Sequence, residues 1–234
     1  MKRNLKSITL FLCAAVVFLT SLTAHGQQHG FYFKADLGGA LTQDTNLRIT
    51  KLDHVPPQET KIQFDPGPRL GFAAGYQLTD WFAAEAELGA IVNTTQSRSS
   101  LSSIGPGEVS IRNCTYANVP LLFNVRFQYP NRSHWAPYIG GGLGVSAAIV
   151  DLETLTPSGT LDTFVRSGGT DATAVFAYQA FAGLRYRLTD HMGLSLEYRY
   201  FVAQRPSWEG NYGASITFDT TQTHALSVAF DWSF

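Results

Sequence analysis

Lys34 and Asp36, Glu85 and Glu87, Arg185 and Arg187, and Glu197 and Arg199 are charged residues that stand two apart in this sequence. Arg69, Arg126 and Asp231 stand singly in similar surroundings. A spacing of two keeps side chains on one face of a β-strand, so these residues can share an enclosed space when their strands are joined. Six positive charges then meet five negative ones. Near balance is what a buried ion-pair network requires, because an unpaired charge taken out of water costs several kcal/mol while paired, hydrogen-bonded charges are tolerated. The same set could line a narrow conduction path, but a bore just wide enough for side chains leaves little open water.

Other chemistry has less support. A deacylase-type His-x-Ser pair acting on lipid A would need both residues on one strand face; His224 and Ser227 are three apart and fall on opposite faces, and His191 sits in a turn. His224 is better placed as an anchor where the last strand meets the membrane interface. Asp53, His54 and Glu59, or Asp151, Glu153, Asp162 and Asp171, lack the spacing of a cation loop and read as solvated. Phosphate loops, dinucleotide fingerprints and zinc spacings are absent from the sequence, and the glycines from Gly140 to Gly144 follow no strand-to-helix transition. No catalytic residue, metal or cofactor is implied, and the protein reads as a non-enzyme.

The elements that carry the charges alternate with period two. In 31–40, Phe31, Phe33, Ala35 and Leu37 oppose Tyr32, Lys34, Asp36 and Gly38. The pattern returns over 69–78, 82–93, 119–127, 137–147, 176–188, 192–200 and 224–234, which predicts eight strands. Their connections alternate between long and short, and two short ones are nearly the same text, Leu78-Thr-Asp-Trp81 and Leu188-Thr-Asp-His191. The expected fold is all-β: an eight-stranded antiparallel up-and-down transmembrane β-barrel with turns on one side and four loops, near 42–67, 95–108, 151–172 and 202–220, on the other.

Alternation alone also suits a soluble, lipocalin-like barrel with the apolar face inward. Bulk decides between them. The apolar face carries more Phe, Tyr, Leu and Trp than an eight-stranded lumen can hold, whereas the other face mixes glycines with a few long charged chains. The charged face is therefore expected inside and the apolar face in lipid, with Tyr76, Trp81, Tyr186, Tyr198, Tyr200 and Trp232 forming interfacial girdles.

Lys2, Arg3 and Lys6 precede the apolar run 8–19 and small residues Ala24 and Gly26, the pattern of a secretory signal peptide over 1–26, with cleavage before Gln27 and a barrel domain over 27–234. Cleavage lowers 17 basic residues to 14 against 18 acidic ones, near net −4, which does not attract nucleic acid. Cys114 is then the sole cysteine, so no intrachain disulfide can form.

Pro120-Leu-Leu-Phe-Asn-Val125, Pro137-Tyr-Ile-Gly-Gly-Gly-Leu-Gly144 and the closing Phe230-Asp-Trp-Ser-Phe234 resemble the outer membrane protein A-like, or opacity-type, β-barrel family across the whole mature chain. The resemblance implies a Gram-negative outer-membrane location, with outer-membrane lipid and lipopolysaccharide around the barrel. It also implies insertion by the barrel assembly machinery, which would read Ser227, Ala229, Trp232 and the final Phe234. Ala229 stands where the family usually has glycine, and the peptidoglycan-binding domain of larger members is not expected here. The expected function is structural: a rigid barrel presenting loops for adhesion, shielding or envelope integrity, with a host or envelope ligand met at those loops. A narrow porin-like channel is the first alternative and a lipid A-modifying enzyme the second.

Overall fold

The computed structural model describes residues 30–50, 58–95, 99–101, 109–130, 133–155, 171–209 and 215–234. The expected signal peptide and its cleavage point lie outside these residues. In chain order the strands are β1 (Phe31–Thr42), β2 (Thr45–Thr50), β3 (Gln58–Ile62), β4 (Gly67–Thr79), β5 (Phe82–Thr95), β6 (Ser99–Leu101), β7 (Val109–Gln128), β8 (Trp135–Leu155), β9 (Asp171–Arg187), β10 (Met192–Ala203), β11 (Ser207–Glu209), β12 (Ser215–Phe218) and β13 (Thr221–Ser233).

Eight of them form a closed antiparallel ring in the order β1, β4, β5, β7, β8, β9, β10, β13. The first and last strands close it, with Tyr32 opposite Ser233 and Thr42 opposite Thr223. Closure leaves no edge exposed to lipid, where an unsatisfied backbone group would cost several kcal/mol. Phe234 N–H donates to Phe31 O and Ser233 N–H to His191 O, so the C-terminus is tied to both neighbours. At the short turn 188–191 the Thr189 hydroxyl accepts from the backbone of Met192 at 3.0 Å, a local side-chain turn that needs no glycine.

The faces divide as bulk predicted. Phe123 is 67% exposed, and Phe72, Ile139, Leu143 and Leu196 are similarly bare, whereas Arg199 and Glu87 on the opposite faces are each 1% exposed. For a membrane-spanning barrel the bare apolar face is the lipid-contact band. Aromatic rings collect at the turn end: Trp81 stacks on Phe127 at 6.0 Å, Trp135 meets Tyr186 at 4.7 Å, and Trp232 stacks on Phe234 at 5.7 Å.

The loop side departs from the sequence reading. β7 begins ten residues before the expected start at 119, and β8 continues eight residues past the expected end at 147. Their lengths of 20 and 21 residues exceed the ~9–11 that a bilayer requires, so the ladder continues into water. There no lipid selects an apolar face, and the sequence alternation used to recognise strands fades. The expected loops 42–67 and 202–220 also contain strands. β2 pairs with β3, β12 with β2 and β11 with β12, making a four-stranded sheet from the first and last loops. These loops meet because β1 and β13, from which they rise, are neighbours in the ring.

Candidate functional site in the barrel lumen

The lumen is built in layers. At the turn end Arg126 on β7 lies over two tyrosine rings, 4.6 Å from the Tyr32 centroid and 5.6 Å from that of Tyr138. Each tyrosine faces a glycine across the ladder, Tyr32 opposite Gly75 and Tyr138 opposite Gly183. A Cβ at either glycine would run into the tyrosine ring, so the glycines let the rings lie flat on the inner wall. Tyr32 OH donates to Glu85 at 2.5 Å and Tyr138 OH to Glu197 at 3.0 Å. Beside them Arg185 on β9 forks onto Asp231 on β13.

From Arg126 a chain of eight alternating charges threads the bore. Arg126 pairs with Glu85 at 3.3 Å, and Glu85 with Lys34 at 3.4 Å. Lys34 pairs with Glu197 at 3.2 Å, and Glu197 with Arg199. Arg199 pairs with Glu87 at 2.6 Å, Glu87 with Arg69 at 2.7 Å, and Arg69 with Asp36. Glu87 is its hub. Besides both arginines it accepts from Asn124 at 2.7 Å and Gln179 at 2.9 Å, so its charge is fully hydrogen-bonded. Phe181 lies under Lys34 and Arg199, its centroid 5.3 and 5.0 Å away. With the Arg185–Asp231 pair, five cations meet five carboxylates.

Above the charges toward the loops comes an apolar layer of Ala40, Ile91, Leu122, Ala177, Phe201, Ala203 and Ala225. Next is a layer of hydroxyls and amides. Thr42 donates to Asn93 at 2.8 Å and meets Thr223 at 2.8 Å, while Tyr116 OH reaches Asn118 at 3.3 Å and Thr221 at 3.2 Å. The mouth is covered by loop aromatics: Phe64 and Phe218 each lie 5.5 Å from Tyr116, and Trp208 meets Phe218 at 5.1 Å. Trp208 Nε1 donates to Ala148 O at 3.3 Å, fastening the last loop to the wall.

The structure thus brings together Lys34, Asp36, Arg69, Glu85, Glu87, Arg126, Glu197 and Arg199, and sets Arg185 with Asp231 close by. Arg187 stands apart: it is half-exposed at the end of β9, and no ion pair joins it to the others among the described residues. Its place next to the turn lets the long side chain reach water. Ser227 and Ala229 face the lumen and are buried, whereas Trp232 and Phe234 face outward and are exposed. Ala229 is fully buried, opposite Asp36 on β1 and Ser195 on β10. His224 sits on the outer wall at the loop end, 2.6 Å from Tyr198 OH and 2.8 Å from Gln43. Asp53, His54 and Asp162 fall outside the described residues, and among the described residues no three His, Cys, Asp or Glu side chains cluster as a metal site would need. The aromatic cover escaped sequence reasoning. Its only signal was the presence of Trp208 and Phe218, two large rings in a segment rich in Ser and Thr.

Comparisons with known proteins agree with this architecture. OprG of Pseudomonas aeruginosa is 15% identical over 88% of this chain and 98% of that one, with a TM-score of 0.58, a likeness of fold. Neisserial surface protein A is 16% identical, covering 89% of this chain and 100% of that one at a TM-score of 0.47. AlkL is 19% identical, covering 91% and 94%, at 0.48. No curated protein matches the sequence. The family model for the outer membrane protein beta-barrel domain matches residues 10–234, nearly the whole chain. The chain belongs to that family, and its barrel is a Gram-negative outer-membrane barrel.

Proposed function

We propose that the protein is a closed barrel that holds a loop-built platform at the cell surface, for adhesion, shielding or envelope integrity, and does not conduct. The layered filling of the lumen carries this reading. An ion crossing it would have to part buried charge pairs, pass a layer of aliphatic and phenyl groups, and displace the aromatic cover, each step costly in a low-dielectric bore. Pairing of β2 with β12 makes one surface of the first and last loops, which suits contact with a macromolecular or envelope ligand. Export by cleavage before Gln27 and insertion guided by Ser227, Ala229, Trp232 and Phe234 complete the reading.

Planar-bilayer recording of the purified, refolded protein tests it. The expected result is no unitary conductance across the voltage range. A stable conductance altered by Glu85→Gln or Arg126→Ala would replace it with the channel reading. Chemically altered lipid A on expression would replace it with the enzymatic one.

A further inference from the structure

At the loop end of the seam between β9 and β10 the wall divides. The last ladder pair is Ala177 with Ala203, followed by a hydrogen bond from Gln204 N–H to Phe176 O at 3.0 Å. Beyond it β10 turns away through Gln204, Arg205 and Pro206 toward β11, while β9 runs on to Asp171. The divergence opens a cleft of about 570 Å³ lined by Ala174, Val175, Phe176, Gln204, Arg205 and Thr220.

Arg205 is the distinctive residue there. Its φ of 29° makes it the one described non-glycine residue with a positive φ, and it precedes Pro206, where extended backbone is the norm. Such a conformation persists only where the surroundings hold it. The side chain is exposed, and among the described residues no carboxylate pairs with it.

Below the cleft the outer wall changes from lipid-facing to interfacial. Phe176, Tyr178 and Tyr198 are exposed, Tyr200 OH donates to Gln222 at 2.8 Å, and His224 meets Tyr198. Along the ladder from Tyr178 across β8, β7 and β5 the outward positions are Leu143, Phe123 and Ala86, with neither tyrosine nor cation. A guanidinium directly above an aromatic belt on one side of the barrel matches an amphiphile with an anionic head and acyl chains. The long loops of an outer-membrane barrel face outward, so the adjoining leaflet is the one built of phosphorylated glycolipid.

We propose that this cleft binds the phosphorylated headgroup of one lipid A molecule. Arg205 takes the phosphate, Gln204 and Thr220 hydrogen-bond the headgroup, and the acyl chains lie along Phe176 and Tyr178.

Native mass spectrometry of the purified protein in detergent, titrated with bisphosphorylated lipid A, tests the site. The unaltered protein is expected to retain one molecule. Arg205→Ala should bind about tenfold more weakly, the loss of one charge-assisted contact, while Arg205→Lys keeps most of the affinity. Enzymatic removal of the phosphates should weaken binding to the unaltered protein to the same degree. Equal retention by Arg205→Ala, or dephosphorylated lipid binding as tightly as the bisphosphate, would overturn the proposal; the second comparison needs no variant to fold.

Discussion

Arg199 on β10 donates from Nη1 to both carboxylate oxygens of Glu87 on β5, at 2.7 and 2.6 Å. The two strands stand four places apart in a ring of eight, so this contact spans the bore from wall to opposite wall. A cross-brace of this kind is short because both residues leave the wall at the same level. It is strong because water is excluded and every acceptor site on Glu87 is used.

Glu87→Gln should destabilise the barrel by about 3–5 kcal/mol, since Arg69 and Arg199 would be left buried beside a neutral amide. Urea unfolding in lipid vesicles, followed by the mobility difference between boiled and unboiled protein, measures it. Combining Glu87→Gln with Arg199→Gln restores charge balance and should recover part of the loss; a loss that simply adds would show that the two residues act independently.

Gly75→Val puts a branched side chain under the Tyr32 ring and should cost about 1–3 kcal/mol through overpacking. Adding Tyr32→Ala removes the obstruction while also removing a hydrogen bond to Glu85. The double variant should therefore be more stable than the sum of the two single losses. The same unfolding assay tests the coupling.

Phe218→Ala and Trp208→Ala should loosen the mouth without loosening the wall. Both residues are buried in the cover, and truncating such a ring costs about 3–5 kcal/mol of packing. The ladder beneath is untouched, so the loss appears as local opening. Limited proteolysis between residues 204 and 220 should accelerate more than tenfold at constant global unfolding midpoint. Conductance should stay absent, because Ile91, Leu122 and Phe201 still cross the lumen.

Phe234→Ala separates stability from assembly. Phe234 is 68% exposed, stacked on Trp232 at 5.7 Å and edge-on to Phe33 at 5.8 Å. Refolding in detergent should lose no more than about 3 kcal/mol, the upper range for two aromatic pairs. If the final residue is read during insertion, outer-membrane abundance in cells should fall several-fold, as measured by fractionation and band-shift. Equal abundance would remove Phe234 from the assembly signal.

How much was legible in the sequence follows from what lipid enforces. From Phe31 to Leu37 and from Leu226 to Phe234, each outward residue must satisfy hydrocarbon and each inward one a narrow bore, so both fold and face are written in period two. Above the membrane that constraint lapses, so alternation marks neither the first part of β7 nor the last part of β8 as strand. Spacing put Glu85 and Glu87 on the same face as Arg126 and Arg199. It could not say which arginine meets which carboxylate, because that depends on the register around a closed ring. Arg187 shares the parity of Arg185, yet lies too near the turn to be enclosed. Trp208 and Phe218 were invisible as a cover because their partners Phe64 and Tyr116 lie on distant segments.

The contact between Glu87 and Arg199 joins residues 112 positions apart, and that between Lys34 and Glu197 joins residues 163 apart. Neither can form while the sheet is an open ribbon, because β5 faces β10 across the bore, and β1 comes beside β10 around β13, only as the first and last strands meet. Until then these charges keep their water, and an unclosed ribbon pays their full dehydration on entering hydrocarbon. The plug is therefore a property of the circle and of no part of it: the pairs that hold opposite walls together exist only where all eight strands have been joined.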